Sequence, residues 1–275
     1  MSVDLHIHTV ASDSLWTPRA LAEEILREGL TAFAVTDHDT DAALDETARE
    51  AERLELNFVP GVEFSCQLDG VDVHILGYFL DRSCGPLDEL LKRIETDLVE
   101  GATECSERMR AGGISLPPFR FAGKQHPYVE LANSLVDSGE AADVRDAFGL
   151  VINPESRFFV RPMRPGPWEV IGAIRGSGGV SSLAHPVRRG VAMRTISQEI
   201  SKLQAMGLQA IEAYSPHHSN ECVRTLLELC RKRGLGVTGG SDNHKGLLRG
   251  RPDRLADVPD WVYEELLELR SGLPA

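Results

Sequence analysis

Short apolar strands alternating with amphipathic helices, one hairpin signal, and histidines and acids gathered at strand ends predict a parallel α/β fold. In such folds the site lies at the carboxyl ends of the strands. The 275 residues suffice for one large domain or one domain with an insert, and 42% hydrophobic content suits a packed core. The first strand alternates Val3, Leu5 and Ile7 with Asp4, His6 and His8, so one face is apolar and the other carries imidazoles. Thr17 and Pro18 read as the cap and first residue of a helix in which Leu21 and Ile25 share a face and Gly29 is the stop. TAFAVTDHDT, from Thr31, is a short buried strand running into a polar turn, and Ala43, Ala51 and Leu54 give residues 41–54 helical spacing. Residues 57–66 and 71–80 read as two strands joined at Asp69-Gly70, a hairpin signal.

Residues 84–167 break this alternation. Leu87, Leu90, Leu91, Ile94 and Leu98 fit a long amphipathic helix, and shorter helical patterns follow near 128–137 and 140–148. A proline cluster, Pro154, Pro162, Pro165 and Pro167, then marks the return of an insert to the main body. The expected organisation is a discontinuous body, 1–83 and 168–275, with a mainly helical insert, 84–167, covering the active site. Past Trp168 come GVSSLAHP, a helix, LQAIEAYSP, a helix from about 219, LGVTGGSDNH and a closing helix near 260–271.

Composition narrows the function classes. Lys+Arg 29 against Asp+Glu 42 leaves a formal charge of -13, which disfavours a broad phosphate-binding surface for duplex DNA. With no basic-then-apolar leader and no bilayer-length apolar run, the expectation is a cytoplasmic protein without a membrane partner. The five cysteines are odd in number and never spaced as a metal-binding pair, which reads as free thiols in a reducing compartment.

The polar residues collect where the fold class places a site. His6 and His8 end strand one, with Asp13 in the following loop; Asp37, His38 and Asp39 follow strand two. Glu63 is read as ending strand three and His74 lies on the next strand. His185 follows SSLA, Glu212 lies in LQAIEAY, and Asp242 and His244 follow LGVTGG. Six of nine histidines thus fall at strand ends, where burial without partners would cost about 1–3 kcal/mol each. Metal ions remove that cost by accepting imidazole lone pairs. Histidine and carboxylate donors without thiolate suit Zn, Mn or Fe, and the candidate ligands outnumber what one ion can use, so a multinuclear site is expected. Asp37 and Glu212 are read as carboxylates that orient imidazoles, and Asp39 as a cap for the next helix.

HIH with Asp13, then TDHD, GVE, HILGY, AHP and GSDNH resembles the ordered motif series of the polymerase-and-histidinol-phosphatase (PHP) superfamily, across residues 4–244. The resemblance implies a distorted seven-stranded (β/α) TIM-like barrel holding up to three metals. By motif position, the first ion would take His6, His8, Glu63 and Asp242, and the second Asp13, His38 and His244. Glu63 would bridge to a third held with His74 and His185. Within the superfamily the chain resembles stand-alone bacterial members similar to phosphatases of 3',5'-bisphosphonucleotides and to exonucleases trimming short RNA from the 5' end. Those relatives carry R-x-H-F-A-R and Gly-Lys-Pro in the insert. Here Tyr128, Glu130 and Asn133 replace the Arg, His and Arg, and ESRFFV, at 155–160, replaces Gly-Lys-Pro, while Lys124, Arg157, Arg161 and Arg164 are cations that could compensate.

Three divalent ions set against Asp13, Glu63, Asp242 and one hydroxide leave about two positive charges, which match a phosphate monoester dianion. Clustered metals lower the pKa of a bridging water and clamp phosphoryl oxygens, so phosphate ester hydrolysis by a bridging hydroxide is the expected reaction. Asp13 and His38, through the second ion, and His217, as proton donor to the leaving oxygen, are the catalytic candidates. Arg188 and His217 are the substrate-binding candidates. The expected partner is a small phosphorylated substrate, a nucleotide or short single-stranded RNA. The alternatives are a histidinol-phosphate-type phosphatase and a non-catalytic binding module.

Overall fold

A computed structural model describes residues 2–187, 191–247 and 254–273. Eight strands among them form one sheet: β1 (Ser2–Ile7), β2 (Ala32–Val35), β3 (Asn57–Leu68), β4 (Val71–Tyr78), β5 (Val180–Leu183), β6 (Ala210–Tyr214), β7 (Gly236–Gly239) and β8 (Val258–Pro259). Their order is β7-β6-β5-β4-β3-β2-β1-β8. Pairing is parallel for β1–β2–β3 and β5–β6–β7 and antiparallel for β3–β4, β4–β5 and β1–β8. The sheet curls until its ends meet: a bridge joins Ile7 to Asn243 just past β7, Asp242 N donates to His6 O (2.8 Å) and His8 N to Asn243 O (3.1 Å). Gly240 permits this approach, since any Cβ there would overlap the backbone of His6. The fold is a distorted TIM-like barrel.

The helices are α1 (Pro18–Glu28), α2 (Leu44–Arg53), α3 (Gly85–Ala111), α4 (Pro127–Asp137), α5 (Val144–Val151), α6 (Pro167–Gly176), α7 (Met193–Ala205), α8 (Asn220–Arg233) and α9 (Trp261–Ser271). None is long and apolar enough to cross a membrane among the described residues. Local chemistry sets their ends: Thr17 accepts from Ala20 N at the start of α1, and Gly29 closes it at φ 70°. One apolar cluster runs from Leu5, Val62 and Tyr78 in the barrel to Ile94, Met109 and Leu135 in α3 and α4, and α3 packs against α6, which lies on β3, β4 and β5, so these helices share the barrel's core. At the β3–β4 turn, Asp69 and Gly70 take φ of 51° and 81°, the left-handed pair a tight hairpin requires.

Three local expectations need correction. Glu63 does not end β3 but sits in its middle. Residues 57–60 pair in parallel with β2, and residues 61–68 continue past the end of β2 to pair antiparallel with β4. Asp39 does not cap α2, whose N-cap is Ala43 with no side-chain hydrogen bond. Instead Asp39, at φ 55°, accepts from Ser65 N (2.8 Å) and fastens the turn after β2 to β3. The proline cluster hid α6, because Pro167 opens that helix at a position whose missing N–H has no intrahelical partner to lose.

Candidate metal centre

The turns and strand ends on one rim of the barrel bring the nine sequence-derived ligand candidates together. His6, His8, Glu63 and Asp242, all buried, form one group whose ligand atoms lie within 4.8 Å of one another. His8, Asp13, His38 and His244 form a second, and His38, Glu63 and His74 a third, by the same measure. Glu63 links them. Its Oε2 lies 3.0 Å from His6 Nε2, 3.2 Å from His8 Nε2 and 3.2 Å from His38 Nδ1, while its Oε1 lies 2.8 Å from His74 Nδ1 and 3.0 Å from His185 Nε2.

The protonation pattern these contacts dictate suits cations. Glu212 Oε1 can only accept, so His6 Nδ1, at 2.9 Å, carries the ring proton and Nε2 presents its lone pair. Ser12 Oγ donates to Asp37 Oδ1 (2.5 Å), leaving an oxygen lone pair for His8 Nδ1–H at 3.4 Å, so His8 Nε2 also presents a lone pair. Those two nitrogens face each other at 3.2 Å, with Asp242 Oδ1 3.2 Å from His8 Nε2. Electron-rich atoms so placed repel one another in a dry interior unless a cation sits among them. The Asp242 carbonyl fixes His244 the same way, accepting from Nδ1 (2.7 Å) and turning Nε2 to Asp13 Oδ2 (3.3 Å). Asp13 Oδ1 and His38 Nδ1 are buried without a hydrogen-bond partner. The donor set, all nitrogen and oxygen, fits several divalent ions.

Protons compete with cations for the same atoms, and the carboxylates that would hold an ion favour positive charge on His8 in either form. Burial works against a charged His8, yet hydrogen bonds to Asp242 and Glu63 outweigh it and push the imidazole up to about 10. Burial would raise Glu63 and Asp13 too, but surrounding imidazoles hold both carboxyls well below their usual range. For His38 burial wins and keeps the ring neutral, as a metal ligand must be.

Of the remaining candidates, Glu212 orients His6 and also accepts from His185 N (2.6 Å). Asp37 is hydrogen-bonded to Ser12, which meets His8, and holds the loop after β1 by accepting from Thr9 N (2.7 Å) and Thr9 Oγ1 (2.6 Å). His217 Nε2 reaches to 3.4 Å from Asp242 Oδ2 and is 37% exposed, so it lies on the open side of the cluster. Arg188 lies outside the described residues.

Sequence reasoning missed Trp16, whose Nε1 donates to Asn243 Oδ1 (2.9 Å) and whose ring lies 3.4 Å from Lys245 Nζ. It ties the loop carrying Asp13 to the one carrying Asp242 and His244. It missed His126 also: half-buried, it lines a cavity of about 250 Å³ with Asp13, His38, His74, Ile94, Phe148 and Phe159. His218 has a structural role, its Nδ1 donating to Ala213 O (2.8 Å). The three residues that depart from the insert motif have structural roles as well. Tyr128 donates to Val160 O (2.7 Å), Glu130 accepts from the amides of Ala122, Lys124 and Gln125, and Asn133 donates to Gln125 Oε1 (2.8 Å).

Comparison with known proteins places this geometry. A PHP domain family model matches residues 4–130. The 3',5'-nucleoside bisphosphate phosphatase of Chromobacterium violaceum is 31% identical over 284 aligned residues, covering 100% of this chain and 99% of that protein. The 5'-3' exoribonuclease Rnm of Escherichia coli is 29% identical, with 88% of this chain and 85% of that protein covered. Among solved structures, a Bifidobacterium adolescentis protein assigned as a metal-dependent phosphoesterase superposes with a TM-score of 0.82 at 27% identity, covering 97% and 96% of the two chains. A Chromobacterium violaceum amidohydrolase, solved with bound sulfate and no metal, gives 0.80 at 28% identity, covering 98% and 97%.

Proposed function

The chain belongs to the PHP domain family and is a hydrolytic phosphoesterase, and we propose that it cleaves a phosphate monoester of a nucleotide or a similar small molecule. The observation that carries this reading is the set of three ligand groups sharing His8, His38 and Glu63, with the lone pairs of His6 and His8 turned to one point. Two or three divalent ions of the Mn, Zn or Fe class would be held by His6, His8, Glu63 and Asp242, by Asp13, His38 and His244, and by Glu63 with His74 and His185. Bound there, they would supply Lewis-acid charge to phosphoryl oxygens and lower the pKa of water.

The chain's own residues do the rest. Glu63 turns Oε2 to His6, His8 and His38 and Oε1 to His74 and His185, Glu212 fixes the His6 tautomer, and exposed His217 would hand a proton to the leaving oxygen. Arg188 and His217 are the proposed phosphate contacts. Residues 1–83 and 168–275 would form the metallohydrolase body, with 84–167 the insert that covers the site. A nucleotide substrate is supported by relatives named for a nucleoside bisphosphate and for RNA. Sulfate in a related structure shows that protein accepting a tetrahedral oxyanion.

The test is phosphate release by manganese-loaded protein from bisphosphonucleotides, mononucleotides, short RNA and histidinol phosphate. Turnover of a nucleotide or short RNA in preference to histidinol phosphate supports the proposal. A preference for histidinol phosphate, or no release from any of them by protein carrying its metals, defeats it.

A further inference from the structure

The insert takes hold of the loop between β1 and α1, which carries Asp13. Gln125, half-buried just ahead of α4, donates from Nε2 to Val10 O (2.5 Å), and the backbone N–H of His126 donates to Ala11 O (2.6 Å). These two successive carbonyls lie three and two residues before Asp13. The grip is itself braced. Asn133, on α4, donates to Gln125 Oε1 (2.8 Å), which turns the other end of that amide to Val10. Glu130 accepts from the amides of Ala122 (2.7 Å), Lys124 (2.8 Å) and Gln125 (3.1 Å) and so fixes the backbone that presents Gln125. Glu130 and Asn133 both depart from the insert motif of the relatives, so the brace belongs to this chain's own insert.

The gripped loop serves one ligand group and not the other. Its inner side is tied to the barrel, Thr9 and Ser12 to Asp37, and Val10 N to Trp16 O (2.8 Å). Its outer carbonyls go to the insert. Asp13 stands between the two sets of ties, its Oδ2 3.3 Å from His244 Nε2 and 3.9 Å from His38 Nε2. His38 is held separately, by a bridge to Glu63 in β3. His6, His8, Glu63 and Asp242 stand on β1, β3 and the turn after β7, whose backbones bond one another through Asp242 N to His6 O and His8 N to Asn243 O. Metal–ligand distances hold to about 0.2 Å, so a small drift of the Asp13 loop would spoil its group and leave the other intact.

We propose that Gln125, oriented by Asn133, is a positioning residue for the ion held by Asp13, His38 and His244. The barrel alone sets the site at His6, His8, Glu63 and Asp242, whereas barrel and insert together set the site at Asp13. The inference rests on the proposed metal-dependent phosphoesterase reading for its ions, and not on which ester is cleaved.

The experiment titrates metal-free protein with Mn against a chromogenic chelator. Asp13→Ala marks the binding step of this ion by losing it. Gln125→Met keeps the length of the side chain and removes both of its hydrogen bonds, and in it that step should weaken about 10- to 100-fold while the other steps stay within twofold of wild type. Asn133→Leu, which leaves Gln125 in place but unbraced, should weaken the same step by a smaller factor above twofold, and carries the test if the Met variant does not fold. Because affinity alone is changed, the spin-coupled signal of paired Mn ions in both variants should return to wild-type strength at saturating Mn. Variants that leave the Asp13 step within twofold, or weaken every step alike as a merely structural role would, overturn the inference while the metal centre stands. An Asp13→Ala protein that binds as many ions as wild type overturns the inference together with the ligand assignment beneath it.

Discussion

Replacing Glu212 by Gln tests whether the buried carboxylate holds the metal centre in shape. Glu212 is fully buried and its two oxygens serve two different donors, His6 Nδ1–H through Oε1 (2.9 Å) and His185 N–H through Oε2 (2.6 Å). Gln keeps the size but has one acceptor, so one of those donors meets an amide NH2 instead. Leaving that donor unmet costs about 1–3 kcal/mol, and the surviving bond loses its charge assistance. If the unmet donor is on His6, its ring is free to turn or to exchange tautomers, and Nε2 no longer points steadily at Glu63 and His8. Loss of such support lowers metal affinity by about 10- to 100-fold. The assay is competition for Mn or Zn against a chromogenic chelator, with circular dichroism to confirm the fold. A folded Glu212→Gln protein that binds metal within twofold of wild type would refute the role assigned to this carboxylate.

Further outcomes follow from other contacts. Asp13→Ala and His38→Ala should each abolish turnover while the barrel stays folded and bound metal falls by about one ion per chain; full activity with unchanged metal would contradict the assignment. Burial pushes the Cys105 thiol up to about 11 and Cys230 to about 12, and raises Cys66 well above its usual value. Below these raised pKa values the thiol stays protonated and unreactive, so at pH 8 a disulfide reagent should modify Cys84 and Cys222 quickly and the other three only on unfolding. Fast reaction of a third thiol would show that burial is not what it seems. Arg145 on α5 donates to the carbonyls of Gly246 and Leu247, next to the loop carrying His244. Arg145→Gln should therefore lose about 1–3 kcal/mol in urea unfolding, and an unchanged midpoint would mean that this docking contributes nothing.

Much of the site was legible because strand periodicity is a rigid constraint. Once Val3, Leu5 and Ile7 are committed to the core, His6 and His8 must share the other face, and both end at one rim with Asp242 and His244. What could not be read was register. Nothing in NFVPGVEFSC announces that β3 outruns β2 and changes partner at Gly61, which puts Glu63 in mid-strand between two sets of imidazoles. Nor does periodicity reach single contacts across long separations. Trp16 and Asn243 are 227 residues apart, and His126 joins the cavity through a backbone hydrogen bond from its N–H to Ala11 O (2.6 Å) in the loop after β1. β8, two residues long, is too short to carry any pattern. The replacement of the insert motif was visible, but its consequence depended on where Tyr128, Glu130 and Asn133 turn their polar atoms.

Anomalous diffraction from crystals of the manganese-loaded protein tests the metal cluster most directly. Two or three peaks are expected, one among His6, His8, Glu63 and Asp242, one among Asp13, His38 and His244, and a third, when filled, beside Glu63, His74 and His185. A single peak, or peaks away from these side chains at saturating metal, would contradict the multinuclear centre on which the proposed hydrolysis depends.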